Sequence, residues 1–199
     1  MSRTISRTAA GLLTILAFVA WSGTAAADPY PQERRGFMLG GNLGGGTAAV
    51  SVTGLGMSAS TQREAGVAGN FRFGWGISPY LSLGFESNGW TKSEAGTTVN
   101  FGVGAFTATY YPNPAQGFYM RAGIGGGTQK LTVTDNNVSA VATENGIGFT
   151  GGVGYEMRIG QKWSLGPAID YGYTSVDVPG GSISANYVNF TAAFNWYFQ

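Results

Sequence analysis

The chain of 199 residues contains no histidine and no cysteine. Without cysteine there is no disulfide framework, no lipoprotein anchor and no thiol nucleophile. Without histidine the base that usually activates a serine is missing, and metal sites lose their commonest ligands. Charge is scarce as well, at 11% Asp, Glu, Lys and Arg against about 25% in typical soluble domains. No basic block occurs, so nucleic acid is not an expected partner. Beyond residue 27 no apolar run approaches the roughly 20 residues of a spanning helix. Carboxylate pairs alone can support glycoside chemistry, but no segment reads as a cleft for a sugar. These absences argue against an enzyme, and no cofactor or metal is expected.

What is present begins with MSRTISRTAAGLLTILAFVAWSGTAAADPY. Arg3 and Arg7 precede an apolar stretch from Ala9 to Trp21, and Ala25-Ala26-Ala27 forms a cleavage site. This pattern is a secretory signal peptide over 1–27. The mature chain is expected to start at Asp28, and the formal charge of +1 then becomes −1 as Arg3 and Arg7 leave. Glycine is abundant, 34 of 199 against an average of about 7%, without a collagen period. Aromatics at 14% argue against a disordered chain. An exported chain with no spanning helix can still cross a membrane as a closed β-barrel, which pairs all its backbone groups.

The pattern after residue 35 supports that reading. A polar lead, 28–35, precedes one domain over 36–199. Strands are expected at about Gly36 to Gly46, then VAGNFRFGWGI, LSLGFESNGW, VNFGVGAFTATYY, FYMRAGIGGGTQK, IGFTGGVGYEMRI, WSLGPAIDYGYTS and the closing NFTAAFNWYFQ. Between them, long segments at 47–66, 92–98, 134–144 and 176–185 alternate with the short turns SPY, PNPAQG and GQK. The alternation matches outer-membrane barrels, with short periplasmic turns and long external loops. An even strand number places both termini on the periplasmic side. The fold class read from this is all-β: a single eight-stranded antiparallel up-and-down transmembrane β-barrel.

A period of two sorts each strand into faces. Phe71, Phe73 and Trp75 oppose Asn70, Arg72 and Gly74; Leu81, Leu83 and Phe85 oppose Ser82, Gly84 and Glu86. Phe118, Met120 and Ile124 oppose Tyr119, Arg121 and Gly123. Val153, Tyr155 and Met157 oppose Gly152, Glu156 and Arg158, and Leu165, Ile169 and Tyr171 oppose Gly166 and Asp170. Among these paired residues no charge falls on the apolar side. Lipid demands this, because a midplane Arg or Lys facing it costs roughly 2–4 kcal/mol. Two stretches fit badly. Phe101 and Val103 share one parity while Phe106, Ala108 and Tyr110 share the other, which predicts a bulge near Ala105. Pro167 lacks a ladder N–H and predicts a bulge or a missing hydrogen bond. Aromatics gather beside the short turns: Trp75, Tyr80, Tyr110, Tyr111, Phe118, Trp163, Trp196, Tyr197 and Phe198. They read as a headgroup-level girdle.

With signal peptide, hairpin pattern and closing strand together, the mature chain resembles the small eight-stranded outer-membrane barrels, the OmpA transmembrane-domain and OmpX-like group of the porin-family proteins. The resemblance implies an integral protein of the Gram-negative outer membrane, in contact with its lipid and lipopolysaccharide. It also implies that Phe190, Phe194, Trp196 and Phe198 form a C-terminal assembly signal read by the barrel-assembly machinery. The chain departs from the pattern in carrying Gln199 after the last aromatic. A monomer is expected, with no specified external ligand.

The candidate site is the set of inward charges Arg72, Arg121 and Arg158 with Glu86, Glu156 and Asp170. Arg72 and Glu86 lie equally far from the Ser78-Pro79-Tyr80 turn and should face each other across the hairpin. The six charges form either a structural network, which is preferred because unpaired buried charge is costly, or a gate. A channel past Gly74, Gly84, Gly125, Gly152 and Gly166 is the alternative to a plugged lumen. The glycine-rich GIGGGTQK lacks the phosphate-loop spacing and no helix follows it. The long segment 47–66 is a candidate for surface interaction.

Overall fold

The structure, a computed structural model, describes residues 34–54, 57–135 and 138–198. The expected signal peptide, most of the lead and Gln199 lie outside the described residues. Ten strands run in chain order: β1 Gly36–Gly54, β2 Met57–Ser60, β3 Glu64–Ser78, β4 Leu81–Glu94, β5 Thr97–Tyr110, β6 Phe118–Asp135, β7 Val138–Tyr155, β8 Met157–Arg158, β9 Trp163–Val178 and β10 Gly181–Phe198. Each long strand pairs antiparallel with the next, and β10 pairs with β1 from Phe37↔Phe198 to Gly54↔Gly181. The sheet therefore closes on itself as eight staves, with β8 continuing β7 and β2 folded back on the top of β1. Closure removes every sheet edge from the membrane-level ring, which lipid requires.

The connections differ from the expected alternation. The long segments are mostly strand. β4 and β5 meet at Ala95 and Gly96 with φ of 47° and 80°, the two left-handed residues of a tight hairpin turn. β9 and β10 meet at Pro179 and Gly180, the glycine at φ 85°. The long staves have 14 to 19 residues, whereas crossing a bilayer takes about 9–11. Each hairpin thus projects well beyond the apolar belt. Ser, Thr and Gly look like loop residues by composition, but here they alternate with Val, Ala and Ile, and cross-strand pairing overrides their weak propensity.

No bulge occurs near Ala105. β5 keeps one register with β4, Leu81↔Tyr110 to Glu94↔Thr97, and one with β6. Phe101 and Val103 point into the barrel and are buried, while Phe106 is 59% exposed. The parity mismatch marks a change of surroundings, not of geometry. At the short-turn end the outer face is apolar and the lumen polar. Toward the hairpin tips the pattern inverts, with Thr47, Ser51, Asn100 and Thr128 outside. Inside, Ala48, Trp90, Phe101, Val103, Ala105, Ala185 and Tyr187 pack as one cluster. Trp90 and Phe101 stack at 5.5 Å. The upper barrel is built as a water-exposed one, with apolar residues inside.

At Pro167 the register with β10 is unbroken, through Ala192↔Pro167. The ladder on the other side stops at Gly154↔Ala168 and resumes at Met157↔Leu165 in the same register, so the missing bond occurs without a bulge. The true irregularity lies between Gly76 and Ser78, beside the SPY turn.

Inward glycines are seats for rings. Tyr187 pairs with Gly172 and Tyr119 with Gly154 across adjacent strands. A Cβ on Gly172 would lie 2.0 Å from the Tyr187 ring, and one on Gly154 2.4 Å from the Tyr119 hydroxyl. Gly172→Ala should therefore destabilise by about 1–3 kcal/mol through overpacking. Gly126→Ala, whose Cβ meets nothing within 4 Å, should stay within about 0.5 kcal/mol. Urea midpoints of the protein refolded in vesicles would separate the two.

Candidate functional site in the lumen

An eight-stranded barrel has an interior just wide enough for side chains, and here long polar ones cross it. Arg121 on β6 places Nε 2.5 Å from Glu86 Oε2 on β4 and Nη2 2.5 Å from Asp170 Oδ1 on β9. One guanidinium thus holds two carboxylates on opposite sides. Asn42 Nδ2 donates to Asp170 Oδ2 at 3.1 Å, and the Thr150 hydroxyl donates to Glu86 Oε1 at 3.2 Å. Asn88 Nδ2 donates to Thr150, and Asn189 Nδ2 to Asn88 Oδ1. The Tyr187 hydroxyl donates to the Asn88 carbonyl at 2.8 Å, tying this layer to the apolar cluster above.

A second layer surrounds Glu156 at the short-turn end. Its carboxylate accepts from Tyr197 Oη at 2.7 Å, Asn195 Nδ2 at 3.0 Å and Tyr111 Oη at 3.3 Å. Arg34 Nε lies 3.5 Å and Arg72 Nη2 3.7 Å from it. Arg72 stands opposite Glu86 in the backbone register, yet its Nε and Nη2 donate to Asn195 Oδ1 at 3.1 and 2.6 Å. Glu86 turns instead to Arg121. Register pairs their Cα atoms, but a guanidinium reaches across the lumen to whichever oxygen is better placed. Arg158 lies over the Tyr197 ring at 3.9 Å and donates to the Gln161 carbonyl.

All six sequence-predicted charges are buried in the lumen. Sequence reasoning missed Arg34. The sequence pattern places it in the polar lead, but it is 1% exposed. Its guanidinium sits 3.9 Å over the Tyr111 ring and donates to the carbonyls of Pro114 and Gln116 at 2.9 and 2.6 Å. Four arginines then meet three carboxylates rather than three. The parity of β1 carried back past Gly36 would have placed Arg34 on the inward side. Tyr111 and Tyr197 need correcting too: both are 1% exposed and belong to this layer, not to the girdle. Trp75, Tyr80, Tyr110, Phe118, Trp163 and Phe198 do face outward.

The closing strand places Phe190, Phe194 and Phe198 on the outer face at 51, 41 and 38% exposure. Trp196 stacks between Trp163 at 4.9 Å and Phe198 at 4.2 Å. Among the described residues no group of acidic side chains is disposed to hold a metal ion.

Residues 13–198 match the outer membrane protein beta-barrel domain family. The chain belongs to that family. Its apolar belt accordingly faces the lipid of the bacterial outer membrane. Ail, the attachment invasion locus protein of Yersinia pestis, superposes with a TM-score of 0.53 at 11% identity, over 81% of this chain and 99% of Ail. Neisserial surface protein A gives 0.51 at 16% identity, over 81% and 97%. At such identities the likeness is one of fold. No curated protein sequence matches the chain.

Near the hairpin tips Lys92 bonds to Glu64 and lies 2.6 Å from Glu94 Oε2. Its hydrogen bonds to Glu64 and Glu94 raise its pKa, and they hold the Glu94 carboxyl below its ordinary range. The Glu94 contribution is thus present above its unfolded pKa and lost as pH falls through the folded one. NMR titration should show the Glu94 pKa rising in Lys92→Gln. In the lumen, Arg121→Met should cost about 3–5 kcal/mol, because Glu86 and Asp170 would be left facing each other unpaired. Adding Glu86→Gln and Asp170→Asn should recover most of the loss in urea midpoint.

Proposed function

We propose that this is a non-enzymatic outer-membrane barrel with a plugged lumen, whose role is structural or exerted through its projecting hairpins. The observation that carries the reading is the layered filling of the lumen. Glu156 with Arg34 and Arg72 occupies one level, Arg121 with Glu86 and Asp170 the next, and the Trp90–Phe101–Tyr187 cluster the third. Beside Arg72 a cavity bounded by Gly74, Ser82, Gly84, Thr107 and Thr109 measures about 10 Å³, room for about one water. Gly152, one of the residues of the alternative channel, has the Asp170 carboxylate 2.4 Å from where its Cβ would be.

In this reading the six charges and Arg34 are a structural plug, and the short turns and both termini face the periplasm. Outward aromatic residues of β10 serve as the assembly signal, and the barrel is monomeric among lipid and lipopolysaccharide. The projecting hairpins offer the exposed surface. Ail and Neisserial surface protein A, which share the fold, are by name an attachment and a surface protein.

Conductance in a planar bilayer tests the plug. The refolded mature protein should be silent, with folding confirmed by a heat-dependent gel shift; steady ohmic events that change in Arg72→Ala would establish the narrow pore instead. Orientation is tested on intact cells. The chain has no cysteine, so Gly96→Cys should be labelled by a membrane-impermeant maleimide and Gln116→Cys should not.

A further inference from the structure

Above the belt the barrel wall divides. β7 pairs with β9 only from Ile147↔Ser175 to Gly154↔Ala168. Beyond that level β7 pairs with β6 alone, and β9 with β10 alone. On the far side β3 and β4 part above Val67↔Thr91. The projecting part is therefore two sheets, β9-β10-β1-β2 and β4-β5-β6-β7, facing each other. The far cleft is bridged by Lys92 to Glu64. Inside the β7–β9 cleft Gln129 Nε2 on β6 donates to Thr174 Oγ1 on β9 at 3.0 Å and to the Ile183 carbonyl on β10 at 3.2 Å, tying the two sheets at the Ser175–Val176 level; above that level the two sheets face each other across open space. At its foot lies a cavity of about 240 Å³ bounded by Asn145, Gly146, Ile147, Ser175 and Asp177.

Above Gln129 the inner faces of the two sheets carry half-exposed apolar residues. Val52 and Ile183 pair on one sheet, Leu131 and Val99 on the other. Val52 is 47%, Leu131 43% and Val133 42% exposed although all point inward. Below them Trp90, Phe101 and Tyr187 form a closed floor, and Trp90, 4% exposed, has an indole N–H without a partner. Buried donors are normally paired.

We infer that the space between the two projecting sheets is a binding site for a single hydrocarbon chain, entered sideways from the bilayer through the β7–β9 cleft. The foot of the cleft decides the occupant. Ile147, 58% exposed, is at once the upper edge of the lipid-facing belt and a wall of the cavity, so what meets the opening is lipid-phase material. Burying a chain against Val52, Leu131 and Val133 removes apolar surface of both partners from water. The rim carries Asp177 on the cavity wall and Glu144 on the neighbouring edge, which selects a neutral or cationic polar end. The site goes beyond the plugged-barrel reading and needs only its floor.

The test is quenching of Trp90 in the refolded mature protein, in phosphatidylcholine vesicles, by 12-bromododecanol. Trp90→Phe supplies the background from the outward-facing tryptophans. Saturable quenching of the Trp90 component is expected, reduced at least fivefold by Ser175→Phe at the cavity wall and by Leu131→Glu inside. Both variants are checked by gel shift, and Ser175→Phe, on the outer face, is the safeguard should Leu131→Glu fail to fold. 12-Bromododecanoic acid should quench less than the alcohol; equal quenching would overturn the rim selection. Quenching by vesicles of brominated phosphatidylcholine alone would identify the chain as a lipid's, and quenching only by the added alcohol would identify a free molecule. Quenching that is absent, or linear and indifferent to Ser175→Phe, would overturn the site. Conductance addresses the plug separately, so the two readings fail independently.

Discussion

A charge placed inside a narrow barrel must be neutralised by other side chains of the same barrel, because little water reaches it. Arg121 answers this constraint by bonding Glu86 and Asp170 from opposite sides of the lumen. The three belong to β4, β6 and β9, none of them neighbours in the sheet. Each bond is therefore a strut across the barrel, and together they fix its cross-section more firmly than the ladders alone. Such struts are poor sources of net stability, since desolvation offsets much of the Coulombic gain. Their effect is on specificity. A stave slipped by one residue would turn its charge to lipid and leave its partners unpaired. Register and electrostatics thus enforce each other.

The same period of two runs unbroken through two solvents. Where lipid lies outside, Phe71, Phe85 and Phe106 face it and Arg72, Glu86 and Thr107 turn in. Where water lies outside, Asn100 and Thr128 face it and Phe101 turns in. One strand geometry serves both because only the assignment of faces changes. The crossover falls between Val103 and Phe106 on β5, and there small residues, Gly104 and Ala105, occupy both faces. The apolar cluster just above the charged layers lowers the local polarity of the lumen, which strengthens the pairs beneath it.

This inversion also explains what could be read from the sequence. Within the belt each face was legible, because apolar and polar residues alternate strictly and a single charge reveals the parity. Closure into eight staves followed from the hairpin count. Beyond the belt the alternation is between Thr or Ser and Val or Ala, a contrast too weak to distinguish strand from loop, so 47–66 read as loop although β1 continues to Gly54. Phe101 and Val103 read as a bulge because one surrounding medium was assumed throughout. The partners of Arg72 were not legible for a different reason. Register fixes which Cα atoms are opposite, but Glu156 reaches Arg72 through a break in the β7–β8 stave, and nothing local in the sequence signals that contact. Arg34 shows the same limit, since its carbonyl partners at Pro114 and Gln116 lie some eighty residues away.

The lumen and the hairpins also differ in how they are held together. Struts that lock the cross-section leave the membrane-level ring little freedom to change shape, so movement must be sought where the ring stops. It stops unevenly. On one side Lys92 carries the wall across the β3–β4 cleft through Glu64, while on the other, where β7 and β9 part, Gln129 on β6 reaches Thr174 and the Ile183 carbonyl from inside. The charged pair Lys92–Glu64 lies at the β3–β4 cleft, and the half-exposed apolar residues lie between the sheets. Local openings are drawn from regions with few buried contacts, and the half-exposed inner residues Val52, Leu131 and Val133 are such a region. Rigidity below and an asymmetric opening above are therefore two consequences of where the register ends.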